Sequence, residues 1–144
     1  MIFFTETFRT PTIVFALKSA SDSNIVNGKM LRFPTAMIDI GGGYDYKTGV
    51  FIAPYSGTYL FHTSVCAQKE KWVYVNLVAN NQTLVTTGVY DAEAHGSCAS
   101  GTGIVALSKG EKAWVEGAWD GDDSLYVNPK YSLPTFTGVL LQKL

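Results

Sequence analysis

Residues 33–61 read Phe-Pro-Thr-Ala-Met-Ile-Asp-Ile-Gly-Gly-Gly-Tyr-Asp-Tyr-Lys-Thr-Gly-Val-Phe-Ile-Ala-Pro-Tyr-Ser-Gly-Thr-Tyr-Leu-Phe. Three consecutive glycines, Gly41 to Gly43, admit backbone angles that other residues resist, so the chain can turn a corner there. Lys47-Thr48-Gly49 and Ser56-Gly57 mark two further turns, with the breaker Pro54 between them. The apolar triplet Val50-Phe51-Ile52 and the alternating run Thr58-Tyr59-Leu60-Phe61-His62 supply strands. The stretch therefore predicts strand, glycine corner, short strand, turn and long strand.

Working outward, the same grammar continues. Upstream, residues 12–18 alternate weakly and read as a strand, and residues 19–29 are rich in turn formers and read as loop. Met30 to Ile38 reads as a strand interrupted at Pro34, which places it at an edge or a bulge because proline cannot donate to a ladder. Downstream, the long strand runs over 57–66, with Tyr59, Phe61, Thr63 and Val65 on one face. Trp72 to Ala79 follows after a polar loop. One of its faces carries Trp72, Tyr74, Asn76 and Val78, and the other Val73, Val75, Leu77 and Ala79. Two largely apolar faces on one strand suggest a protein partner on the outer side. A turn at Asn80-Asn81-Gln82, a β-branched strand over Thr83 to Val89, strands over Ser97 to Leu107 and from Ala113 to near Trp119, and a last strand over Thr135 to Leu141 complete the chain. No segment has a convincing helical period. Short strands recurring every ~8–12 residues predict a β-sandwich or jelly roll.

Composition supports this and narrows the function classes. A chain of 144 residues that is 47% hydrophobic and 16% charged has enough apolar material for one compact domain. The formal net charge is −1 and no basic patch stands out, so nucleic acid is not an expected partner. No apolar run reaches the roughly 20 residues of a membrane helix, so no membrane insertion is expected. The run Thr12 to Leu17 is too short for a signal-peptide core, and Glu6 stands where positive charge belongs. It reads as a first strand after a leader over residues 1–10.

The spacing in the opening stretch carries a further signal. Phe33, Asp39, Tyr44, Phe51, Gly57, Tyr59 and Phe61 follow one another at intervals that resemble the signature of the C1q globular-head domain, a member of the tumour-necrosis-factor-like jelly rolls. The pattern departs at Thr63, where an aromatic is usual. Ala99-Ser100-Gly101, Leu107, Gly110, Trp114, Leu125-Tyr126 and Phe136 to Leu141 are similar to later landmarks of that family, with Glu111 where Asp is common. The resemblance covers about residues 11–142, and the domain is taken as 11–144. It implies an all-β, ten-strand jelly roll of two antiparallel sheets, a homotrimer and an extracellular, secreted setting. No Gly-X-Y repeat precedes the domain, so the collagen stalk of many relatives is expected to be missing; the chain is similar to head-only members of invertebrate type.

The implied function is recognition: a secreted pattern-recognition protein of innate immunity, lectin-like, binding carbohydrate or microbial surface ligands. The alternatives are an extracellular structural or calcium- and mineral-associated protein, and a receptor ligand like those of the tumour-necrosis-factor branch. An enzyme is not expected. His62 and His95 have no nucleophile motif beside them, and no GxSxG, phosphate loop or HExxH occurs. Ligand-binding candidates are the aromatics at or beside predicted loops, Tyr90, Trp119, Tyr126 and Tyr131, with His95. Aromatic faces stack on sugars while polar neighbours fix hydroxyls; the plainer reading makes these rings core caps or trimer contacts. Asp91 and Glu93 in one loop, and Asp120, Asp122 and Asp123 in another, are either solvated turns or partial calcium ligands, since calcium needs 6–8 oxygens. Cys66 and Cys98 are either buried thiols or, in the strand order that the resemblance implies, neighbours able to form a disulfide. Asn81-Gln82-Thr83 is a glycosylation sequon in a predicted turn.

Overall fold

The computed structural model describes residues 9–92, 97–121, 123–131 and 133–144. They form ten strands: β1 (Val14–Lys18), β2 (Thr35–Ile40), β3 (Tyr44–Asp45), β4 (Val50–Ile52), β5 (Gly57–Cys66), β6 (Trp72–Ala79), β7 (Gln82–Tyr90), β8 (Cys98–Leu107), β9 (Lys112–Gly117) and β10 (Thr135–Lys143). Among the described residues the only helix is a 3-10 turn at Pro129–Tyr131. The strands make two five-stranded sheets, β2-β1-β10-β5-β8 and β3-β4-β9-β6-β7, and every pairing between named strands is antiparallel. This is a jelly roll.

Alternation in the sequence sets which sheet face is buried. On β5 the residues Tyr59, Phe61, Thr63 and Val65 are all inside, as the period of two predicts. Their rings meet those of Phe15, Phe51 and Phe136, with Phe15 and Phe136 edge-on at 5.0 Å and Phe51 and Phe61 at 5.7 Å. Each such buried side chain contributes about 1.5–3 kcal/mol. Thr63 takes an aromatic's usual place in the core without an aromatic's volume. Its hydroxyl donates to the Thr135 carbonyl at 2.9 Å, so the buried oxygen is satisfied across β5 and β10. The glycine corner forms as expected, with φ of 101° at Gly41 and 69° at Gly42.

Two expectations shift. The strand predicted from Met30 begins only at Thr35, on the edge of the first sheet. Before Pro34 the chain pairs with the other sheet instead: the Leu31 N–H donates to the Val115 carbonyl and Met30 bridges to Glu116. Proline separates the two pairings because it can serve neither ladder as a donor. The second apolar face of β6 is also not one uniform surface. Val78 lies beside Trp114 on β9 and is buried, whereas Trp72 and Tyr74 remain half-buried.

A wider apolar surface lies on the outside of the first sheet. Ile40, Val14, Val139, Leu60 and Ile104 are successive partners across all five strands, β2-β1-β10-β5-β8. The two end members are well exposed, Ile40 at 45% and Ile104 at 61%. The next row is Ile38, Ala16, Thr137, His62 and Thr102, with His62 Nδ1 2.7 Å from the Thr102 hydroxyl.

The two ends of the sandwich differ. At one end the β4–β5, β6–β7 and β8–β9 turns gather: Ala53 donates to Glu111 and Asn80 to Lys112, and the Lys143 N–H donates to Thr10 Oγ1 at 3.2 Å. At the other end segments around Gln68, Asp91, Ser97 and Ser124 bond to one another. There Cys66 and Cys98 are register partners on β5 and β8 and are joined by a disulfide.

Candidate functional site

After Gly117 the chain leaves β9 but does not leave β6. The Ala118 N–H donates to the Tyr74 carbonyl at 3.0 Å, and the Ser124 N–H to the Trp72 carbonyl at 2.9 Å. The Tyr74 N–H in turn donates to Asp123 Oδ2 at 3.2 Å. Ala118, Asp123 and Ser124 thus complete the hydrogen bonding of the β6 backbone irregularly, and Trp119 follows directly on Ala118 in this detour. Its ring stands edge-on to Trp72 at 6.0 Å and 84°, and to Tyr74 at 5.9 Å and 83°.

Trp72 and Tyr74 share the outer face of β6 and stack at 5.7 Å. Tyr90, the register partner of Trp72 on β7, brings its ring to 4.8 Å from that indole. Two glycines permit this arrangement. A Cβ on Gly88 would meet the Tyr74 ring at 2.2 Å, so that ring packs directly against the β7 backbone. A Cβ on Gly121 would sit 3.2 Å from the Trp119 indole. Trp72, Tyr74, Thr86, Ala118 and Trp119 line a hollow of about 280 Å³. On the same face the Thr86 hydroxyl donates to Asn76 Oδ1 at 2.6 Å. The hollow therefore combines aromatic walls from β6 and from the chain after β9 with the Thr86 hydroxyl of β7.

The sequence-predicted residues distribute unevenly around it. Tyr90 and Trp119 belong to the ring cluster. Tyr126 does not: its hydroxyl accepts from Asn128 Nδ2 at 2.8 Å and its N–H donates to the Cys66 carbonyl. Tyr131 projects from the 3-10 turn at 63% exposure, with Lys130 Nζ 5.5 Å from its ring centre. His95, Glu93 and Asp122 lie outside the described residues. Trp72 and Tyr74 are not among the site residues expected from sequence, where they appear only on the second apolar face of the strand over Trp72 to Ala79; their pairing with Tyr90 comes from the β6–β7 register.

The acidic residues act on backbone. Asp91 is buried, and its carboxylate accepts from the Ser97 N–H at 3.2 Å. Asp120 accepts from the Asn27 N–H at 2.9 Å, and Asp123 from Tyr74 as described. Among the described residues no group of three or more His, Cys, Asp or Glu side chains is placed to hold a metal ion. Asn81 lies at the opposite end, in a two-residue turn where Asn80 and Asn81 have φ of 52° and 57°, the angles of a type I′ hairpin. A larger hollow of about 720 Å³ also lies at that end, walled by the glycine corner, Tyr46 and Pro54 with Lys47 and Lys109.

Comparison with known proteins gives a consistent picture. A profile described as "C1q domain" matches residues 14–141. Mouse (Mus musculus) "Complement C1q tumor necrosis factor-related protein 3" is 31% identical over 113 residues, covering 76% of this chain and 43% of the relative. "Heavy metal-binding protein HIP" of Mytilus edulis is 26% identical over 139 residues, covering 94% of this chain and 63% of the relative. The chain thus spans less than two thirds of the length of either relative. Among solved structures, the "Globular Domain of Zebrafish Complement 1qA protein" has a TM-score of 0.74 at 19% identity, covering 93% of this chain and 100% of that one. The "Structure of Eiger TNF from S. frugiperda" has 0.70 at 13% identity, covering 94% and 96%. At those identities the structural likeness is one of fold.

Proposed function

The chain belongs to the C1q domain family, and from that premise we propose that it is an extracellular, self-associating recognition head. It binds carbohydrate or other patterned ligands on microbial or self surfaces, as a lectin-like component of innate defence, and it is not an enzyme. The observation that carries the reading is the row of branched aliphatic residues running in register across the outer side of the first sheet, from Ile40 to Ile104. A monomer would leave both ends of this row exposed and its middle three residues only partly covered. Copies of the chain meeting there as a homotrimer would cover it, at ~25 cal/mol per Å² of apolar surface before association costs.

Self-association also suits the task. A single shallow hollow holds one ligand weakly, whereas three heads on one particle gain avidity when the ligand spacing matches. The Cys66–Cys98 disulfide fits an oxidising, extracellular compartment. Light scattering at micromolar concentration tests the assembly: a trimer is expected for the native chain and monomer for Leu60→Asp. A monomeric native chain overturns this part. A glycan array tests the ligand class, and the absence of any bound glycan overturns the lectin reading.

One observation favours a second reading. The Mytilus edulis relative carries "heavy metal-binding" in its name, which suggests a metal-associated extracellular role. The arrangement of Asp91, Asp120 and Asp123 on three different backbone partners argues against a shared ion at those positions. Titration with calcium and with cadmium, followed calorimetrically, separates the two: saturable metal uptake with an empty glycan array would favour the second reading.

A further inference from the structure

The ring cluster on the outer face of the second sheet has a chemistry of its own. We infer that Trp72, Tyr74 and Trp119 form a calcium-independent binding site for the apolar face of a neutral hexopyranose. The inference rests on the lectin reading above and supplies it with a location and a ligand class.

Four observations converge. First, the rings remain open to water: Trp119 is 46% exposed, and Trp72 and Tyr74 are only half-buried, although large aromatics add most to stability when covered. Second, the rings are fixed in advance. Tyr74 lies over Gly88, Trp119 lies over Gly121, and Trp72 is held between Tyr74 and Tyr90. A ligand therefore meets a surface that needs little ordering. Third, the hollow of about 280 Å³ is just below the range of roughly 300–1,000 Å³ that holds drug-sized ligands, a scale that suits a single sugar ring and is too small for a folded partner. Edge-to-face indoles give it a wall and a floor, against which the C–H face of a pyranose can stack.

Fourth, the polar groups suit hydroxyls and not charge. Thr86 lines the hollow, and its hydroxyl is bonded to the Asn76 amide; both residue types donate and accept. Neither Lys nor Arg lines it. An acidic sugar would therefore find no cation on the walls to offset the loss of water around its charge. No metal-holding group occurs among the described residues, so chelation should leave binding intact.

The test uses the intact chain. Methyl α-mannoside, methyl β-galactoside and N-acetylglucosamine serve as neutral probes, with sialic acid and a sulfated galactoside as acidic controls. Binding is read by saturation-transfer NMR and by tryptophan fluorescence, with and without EDTA. At least one neutral probe should perturb tryptophan emission and bind at least tenfold more weakly to Trp119→Ala and to Trp72→Ala, while Trp119→Phe retains most of the affinity. Unchanged unfolding midpoints for Trp119→Ala show that it is folded. Should the array bind neutral glycans while both alanine variants bind like the native chain, the site is elsewhere and only this inference falls. Binding confined to acidic probes, or lost in EDTA, also overturns it. An array with no bound glycan removes the lectin reading itself.

Discussion

Two clusters of aromatic rings lie on opposite sides of the second sheet, and their ring contacts are nearly the same. Inside, Phe15 lies 5.0 Å from Phe51 and from Phe136. Outside, Trp72 lies 4.8 Å from Tyr90 and 6.0 Å from Trp119. What differs is the support. The inner rings come from both sheets and are sealed, with Phe51, Phe61 and Phe136 at 1% exposure or less. The outer rings rest on one sheet and one irregular loop. Residue choice follows: the inner cluster is mostly phenylalanine, and the outer one is tryptophan and tyrosine, which have an apolar body and a polar tip. Ring packing alone thus does not separate a core from an open surface cluster; the number of sides that are covered does.

The largest expected effect is on the inner cluster. Phe61→Ala should destabilise by about 3–5 kcal/mol, the cost of a large buried aromatic and its cavity, measured by denaturant unfolding. Reducing the Cys66–Cys98 bridge, whose partners are 32 residues apart, should cost roughly 3–4 kcal/mol on the chain-entropy estimate. A reduced chain that unfolds at the same denaturant concentration would sink that expectation.

Tyr44 stands between the two clusters in character, a buried ring with a working hydroxyl. It accepts from the Phe33 N–H at 3.0 Å. Tyr44→Phe leaves that buried donor without its acceptor and should cost about 1–3 kcal/mol. Burial also pushes the Tyr44 phenol up to about 12 from its ordinary 10.0. The folded state therefore prefers the neutral phenol. Its stabilisation is complete below pH 10 and is lost as pH rises toward 12, because the unfolded chain ionises first. Unfolding midpoints across that window should fall less steeply for Tyr44→Phe than for the native chain. The smallest effect belongs to the outer cluster: Trp119→Ala should change stability by less than about 1 kcal/mol, as open surface positions do. A loss as large as that of Phe61→Ala would erase the distinction between the clusters and make the outer one a second core.

This contrast also explains what could be read from the sequence. The stretch 33–61 is legible because alternation and turn residues are local. β5 and β6 occupy the spans their patterns predict, Gly57–Cys66 and Trp72–Ala79. β2 starts later than expected because a partner switch at Pro34 is a long-range event. The outer cluster was half legible. Trp119 and Tyr90 stood out as loop-flanking aromatics, but Trp72 and Tyr74 read as an apolar face awaiting a protein. The detour that Ala118, Asp123 and Ser124 make along β6 has no period to betray it, and it is this detour that brings Trp119 over the strand. The acidic residues suggested calcium by composition; burial of Asp91 and its bond to the Ser97 N–H are features of the folded chain alone.

Thr10 and Lys143 are hydrogen-bonded to each other at the end of the sandwich away from the aromatic hollow. Anything grafted to the chain near either residue, whether a linker, a bead or a sensor surface, would therefore sit behind the head. Copies immobilised from this side would all look outward. A captured layer would present its rings to the medium in one orientation, whichever of the two attachment points was used.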